Sequence, residues 1–205
     1  MAEQQQPEKQ QKKKTIVKKR TADKWKKKSW YTVFSSKEFA AKEIGTTVAE
    51  KPENIIGRTV KISVRDLAGQ ARQQHVSIIF KVDDVKGNKA HSKAVGHSIL
   101  ESYMKKFVRN RNSKIQLTQL LNLPGGEKML VTSVTLASRV DRKKETAIRK
   151  IMAEKINEVV ALGNSQKIIS ELVFGNIPQE IVSVAKKVAP IKRIEITKSK
   201  LFSSK

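Results

Sequence analysis

The stretch "SKIQLTQLLNLPGGEKMLVTSVTLASR", residues 113–139, alternates apolar and polar residues on both sides of Pro124, Gly125 and Gly126. A period of two sends successive side chains to opposite faces, which a strand permits and a helix does not. Two such runs joined by a Pro-Gly-Gly turn therefore have to fold back as antiparallel strands. The same design occurs in "DVKGNKAHSKAVGHSI" (84–99), where Gly87-Asn88 supplies a two-residue turn. Upstream, "WYTVFS" (30–35) reads as a strand, "RTVKISVRDL" (58–67) places Val60, Ile62 and Val64 on one face, and "RQQHVSIIFKVDDV" (72–85) continues the alternation. Between the two hairpins, "SILESYMKKFVRN" (98–110) has the Ile99, Tyr103, Met104, Phe107 spacing of a short amphipathic helix.

The last third changes period. At helical spacing Ile148, Ile151, Met152, Val159 and Leu162 share an arc of about 100°, while Arg142, Lys143, Arg149 and Lys150 lie opposite. This predicts one long helix over 142–162, apolar inside and basic outside. Lys155 is the misfit on the apolar arc, where its ammonium has to reach water or meet a phosphate. Gly163-Asn164 ends that helix, Ser165 is placed to cap a second one ("SQKIISELVF") and Pro178 to open a third ("PQEIVSVAKKV"). A last strand, "IKRIEITKSKLF", returns to period two. The expected class is α+β: an antiparallel, barrel-like β core with flanking helices, mostly in the C-terminal third.

Charge decides the kind of partner. The chain has 43 Lys+Arg against 19 Asp+Glu, a net charge of +24, so the natural partner is a polyanion. Residues 1–28 hold eleven of these cations, with little apolar beyond Ile16, Val17 and Trp25, and cannot offset their own ordering entropy. They are expected to form a disordered basic tail, and residues 29–205 a single globular domain. No run approaches the roughly 18 apolar residues of a membrane span, so no membrane partner is expected, and the N-terminus lacks the apolar core of a secretory signal. An intracellular location follows as an expectation, and the absence of cysteine suits a reducing compartment.

No constellation reads as an active site. His75, His91 and His97 lack the neighbouring carboxylates or cysteines of a metal centre, and Asp83-Asp84 point to opposite faces of a strand. Phosphate loops and nucleophile elbows are absent, so neither enzyme, cofactor nor metal is expected. Basic residues, by contrast, recur in runs. The tail supplies Lys12, Lys13, Lys14, Lys18, Lys19, Arg20, Lys24, Lys26, Lys27 and Lys28. "KKFVRNRNSK" carries Lys105, Lys106, Arg109, Arg111 and Lys114, interleaved with Asn110, Asn112 and Ser113 that can donate to phosphate or sugar. "SRVDRKKETAIRK" carries Arg139, Arg142, Lys143, Lys144, Arg149 and Lys150. Cations at the start of a helix oppose its dipole, which points to a phosphate there. The two tryptophans flank the tail junction: Trp25, among lysines, is expected to stack on an unpaired base, and Trp30, opening a strand, to cover the sheet edge where the tail docks.

The segments "DKWKKKSWYTVFSS", "EIGTT", "GRTVKISVRDL", "KAVGH", "RNRNSKIQL", "VTSVTLASRVDRKKETAIRKIM", "ELVFGNIPQEI" and "APIKRIEITKSKLF" resemble, in order from about residue 18 onward, the ribosomal protein S-three-A-e family of the archaeal and eukaryotic small subunit. The chain is closer to archaeal members, stopping soon after Phe202 where eukaryotic relatives carry a longer tail. The resemblance implies a non-catalytic structural protein on the platform near the messenger exit and the 3′ end of the small-subunit rRNA. It implies a β-barrel-like core, rRNA and neighbouring ribosomal proteins as partners, and messenger RNA close by in the cytoplasmic ribosome. Two other readings share the charge: a DNA-compacting chromatin protein, which would bind duplex DNA, and an RNA-modifying enzyme, which would need a cofactor loop or acid-base pair.

Overall fold

In the computed structural model, residues 25–69, 73–124, 126–160 and 163–202 are described. Eight strands form one sheet: β1 (Ser29–Phe34), β2 (Glu43–Ala49), β3 (Thr59–Ser63), β4 (Val76–Lys86), β5 (Lys89–Ile99), β6 (Asn112–Asn122), β7 (Lys128–Ser138) and β8 (Ile191–Phe202). The helices are α1 (Val64–Ala68), α2 (Glu101–Phe107), α3 (Arg142–Val160), α4 (Ser165–Phe174) and α5 (Ile177–Ala185). The order along the sheet is β2-β1-β5-β8-β7-β6, with β4 joining β5 to β3. Among the described strands β2 and β6 end the path without meeting, so the sheet is open and the expected barrel does not close.

Both hairpins turn where the alternation requires. Lys86 pairs with Lys89, leaving Gly87-Asn88 as the turn, and Gly87 at φ 59° supplies the positive dihedral that primed turns need. β6 and β7 pair without a break from Asn112↔Ser138 to Asn122↔Lys128.

Three local expectations need correction. Val64 is not in a strand, because the Ser63 hydroxyl accepts from Arg65 N at 3.2 Å and starts α1 one residue earlier. α2 is shorter than expected because Ser98 and Ile99 are claimed by pairing with Lys198 and Val76. The cap of α4 is Asn164, whose side chain accepts from Gln166 N at 3.0 Å, rather than Ser165. Lys155 does reach the surface, where its exposed ammonium lies 2.7 and 2.9 Å from the Glu158 carboxylate one turn on. That bond, more than any other influence, raises the Lys155 pKa. Leu162 and Ala161 lie outside the described residues.

The pairing is not wholly antiparallel either. One edge of β5 is shared: Lys89–His91 pair in parallel with β1, and Gly96–Ser98 pair antiparallel with β8. The partner changes at a bulge, where Ile79 faces Gly96 but Phe80 faces Ala94 and Val95 is left over. In the gap, the Gln166 carboxamide stands in for a strand, accepting from Ala94 N at 2.9 Å and donating to Ala94 O at 2.8 Å. Beyond it β8 comes so close that a Cβ on Gly96 would lie 2.1 Å from Ser199 O. His97 is buried at the junction. The Ser199 hydroxyl accepts from His97 N at 3.0 Å and bonds Nδ1 at 2.6 Å, while Nε2 bonds Ile196 O at 2.8 Å. A carbonyl can only accept, so Nε2 carries the proton and Nδ1 accepts from Ser199.

The main core lies between the β4–β8 part of the sheet and helices α3 to α5, with Phe80, Ile115, Met129, Ile148, Met152, Ile168 and Ile181 fully buried in it. A smaller cluster of Tyr31, Val33, Ala49, Ile55, Val82 and Ala90 underlies β1 and β2.

Two outcomes are expected from this junction. Gly96→Ala should destabilise by about 2–3 kcal/mol in denaturant unfolding through overpacking against backbone. Gly45→Ala, with nothing within 4 Å of the added methyl, should stay within about 0.5 kcal/mol. Burial holds the His97 pKa below its ordinary value, so the unfolded chain binds the proton more readily than the folded one. The contribution of His97 is therefore complete above about pH 6.5 and falls as pH drops toward the lowered folded value. His97→Gln should show a shallower loss of stability between pH 7 and 5 than the unsubstituted protein.

Candidate nucleic-acid interface

The β6–β7 hairpin brings the two internal basic runs to one end of the sheet. Asn112, at the start of β6, pairs with Ser138 at the end of β7, so the loop carrying Arg109 and Arg111 lies beside the connection carrying Arg139. Val140 N donates to the Ser113 hydroxyl at 3.2 Å, fastening one loop to the other. β8 begins at the same end, where Ser138 N donates to Pro190 O at 3.1 Å and the Lys192 ammonium donates to Asn112 Oδ1 at 2.7 Å. Asn112 and Ser113 thus use their oxygens to hold the fold, a role that their place in a basic run does not disclose. Arg111 adopts φ 69°, a left-handed conformation costing a non-glycine residue about 1 kcal/mol.

Lys105, Lys106, Arg109, Arg111, Lys114, Arg139, Arg142, Lys143, Lys144 and Lys150 are all exposed. They differ in why a cation is tolerated there. Lys105 and Lys106 occupy the last turn of α2, where positive charge complements the helix dipole, so they have a structural reason to be basic. Arg142, Lys143 and Lys144 occupy the first turn of α3, where positive charge opposes it, three cations against Glu145 in the turn and Asp141 just before it. Arg149 is already engaged, its guanidinium 3.3 Å from Glu145 in an i,i+4 pair. The assembled ridge therefore runs from Arg109, Arg111 and Lys114 through Arg139 to Arg142–Lys144, with Lys192 added by tertiary contact.

Behind the ridge, α2 is held by Arg193. Its guanidinium donates to Glu195 Oε1 at 2.6 Å and to the Tyr103 hydroxyl, and lies 4.5 Å from the Phe107 ring centre. His75 stacks on the other side of the cluster, its ring 3.6 Å from that of Tyr103. Burial lowers the His75 pKa and raises that of Tyr103, which keeps both neutral in this stack. Arg193 thereby fixes where the basic loop leaves α2. Its position in an alternating strand carries no sign of this, because Tyr103 and Phe107 are 90 and 86 residues upstream and are brought to it only by folding.

Of the tail residues, Lys12, Lys13, Lys14, Lys18, Lys19, Arg20 and Lys24 lie outside the described residues. Trp25, Lys26, Lys27 and Lys28 are exposed, with the Lys28 ammonium 4.6 Å from the Trp25 ring centre. Trp30 is 64% exposed, so its ring is not used to cover a sheet edge.

The geometry is that of a surface able to receive a chain of phosphates: exposed cationic side chains at the end of a continuously paired hairpin. The model of the Ribosomal S3Ae family matches residues 16–205. A protein of Staphylothermus marinus named small ribosomal subunit protein eS1 is 38% identical over 88% of this chain and 85% of its own. Proteins of the same name from Desulfurococcus amylolyticus and Methanobrevibacter smithii are 35% and 32% identical, over 88% and 91% of this chain and 85% and 97% of their own lengths.

Replacing Arg193 with Met keeps much of its apolar stem but removes the guanidinium. Stability should fall by about 1–2 kcal/mol, the range of a partly desolvated cation–π contact. Amide exchange should rise in 101–111 more than in β7, which checks that α2 is the element released.

Proposed function

The chain belongs to the Ribosomal S3Ae family, and on that premise we propose that it is a structural constituent of the small ribosomal subunit in the cytoplasmic ribosome. It is not an enzyme. Its partners are small-subunit rRNA and neighbouring ribosomal proteins, at the platform near the messenger exit. The observation that carries rRNA contact is the ridge at the β6–β7 hairpin end, where loops from two distant basic runs and the N-terminus of α3 converge. Cations placed against a helix dipole are stabilised when phosphate oxygens approach the same helix end. The basic tail extends that contact, with Trp25 stacking on an unpaired base.

Sucrose-gradient fractionation of cell lysate is expected to place the protein with the small subunit at moderate salt and to release it at high salt. Finding most of it free, or on DNA, at physiological ionic strength overturns this function. Changing Arg109, Arg111 and Lys114 together to Gln should make log affinity for rRNA about two units less steep against log salt, at about 0.7 per phosphate contact. Lys37, Lys51 and Lys61, exposed and outside the ridge, form the control triple. Lys42 is unsuitable, since its ammonium donates to Asp66 O at 2.8 Å at the end of α1.

A further inference from the structure

The outer face of β1 lies away from the ridge, separated from β6 in the sheet by β5, β8 and β7. Tyr31 and Val33 point inward to the smaller core, so alternation turns Trp30, Thr32 and Phe34 outward. Cross-strand partners share a face. Val48 lies beside Trp30, Thr46 and Lys89 beside Thr32, and His91 beside Phe34, with the two rings 6.3 Å apart. The Lys89 ammonium is 6.0 Å from the Phe34 ring centre. Lys26, Lys27 and Lys28 immediately precede the strand. Two acids lie at the other end of this face, Glu43 opposite Phe34 and Asp84 opposite His91, where Lys86 stands 3.8 Å from Asp84. Glu50, just past the end of β2, is the one acid near Trp30 among the described residues, set against Lys26, Lys27 and Lys28. Trp30 is thus a large exposed aromatic ring in a field of positive charge. Its nearest neighbours on the face are Thr32, Thr46 and Val48, with Phe34 further along beside Lys89 and His91, too little contiguous apolar surface for a protein-docking core but suited to a polyanion that carries flat rings.

We propose that this face is a stacking platform for single-stranded RNA: Trp30 takes one unpaired base, and Lys26, Lys27 and Lys89 meet the flanking phosphates. The inference rests on the small-subunit reading only in taking the polyanion to be RNA. Base stacking on an aromatic ring is tolerant of sequence because every base offers a π face, so the platform would hold an unpaired segment without selecting it.

The chain's two tryptophans make the platform directly observable. In Trp25→Phe, Trp30 is the sole tryptophan, and titration with an unstructured oligouridylate should quench its emission, whereas inorganic polyphosphate of matched charge should not. Trp30→Ala should lower affinity for the oligouridylate about tenfold, within the range of one stacked base, and Trp30→Phe should retain most of it, with melting temperatures unchanged. Unaltered emission while a labelled oligouridylate is bound, or equal quenching by polyphosphate, overturns the platform. So does Trp30→Ala that binds RNA normally but is lost from the small subunit, which would assign the face to a protein neighbour. The small-subunit function survives each of those results and fails separately, if the unsubstituted protein neither binds RNA nor cosediments.

Discussion

The shared edge of β5 is the constraint on which the arrangement depends. A strand edge can offer its backbone groups to one neighbour, yet here β1 takes its first residues and β8 its last. Three devices make this possible. The bulge at Val95 re-aims the strand, Gln166 satisfies both backbone groups of Ala94 in the gap, and Gly96 admits the β8 backbone to a distance that any Cβ would block. A buried N–H or C=O left unpaired costs about 1–3 kcal/mol, so the carboxamide of one helix residue has an effect comparable to that of a core side chain. His97 and Ser199 then lock the register beyond the gap.

This junction joins the two halves of the molecule. β4 and β5 belong to the first half and β6 to β8 to the second, and β8 reaches the sheet from the far end of the chain to pair with β5 and β7 at once. Because β8 is fixed in this way, its first residues can act on the ridge. Lys192 reaches Asn112, and Arg193 clamps Tyr103 and Phe107 of α2. Isolated surface ion pairs contribute only about 0–1 kcal/mol, so the Arg193–Glu195 pair alone would not hold a helix. Combined with ring stacking and a hydroxyl acceptor it fixes one exit path for the basic loop.

Charge is distributed with a similar economy of means. Lys105 and Lys106 sit where a helix favours cations, while Arg142, Lys143 and Lys144 sit where it does not. Residues of the second kind carry more information about an external anion than the overall excess of +24 does. Arg149 carries less than its place in a run suggested, since Glu145 already neutralises it.

Period and turn chemistry alone determined both hairpins, the three C-terminal helices and the final strand. These depend on local sterics: Gly87 allows the tight turn, Pro178 opens a helix, and the β-branched content of Ile191–Phe202 favours a strand, whose buried Ile191, Ile194 and Ile196 come into phase through a bulge at Lys192. The basic runs were legible for the same reason, being properties of residue type. Tertiary structure decided what local rules leave open. Nothing in the strand patterns says that β5 would split its edge between β1 and β8, because pairing is between backbones and every strand offers the same groups. Seven alternating runs read as curling toward a barrel, β2 is not among them, and the partner choice of β2 and β6 leaves the sheet open among the described strands. The exposure of Trp30 was decided in the same way: alternation places it opposite Tyr31, but which of the two faces meets a core depends on where Ile55, Val82 and Ala90 are brought by the rest of the chain.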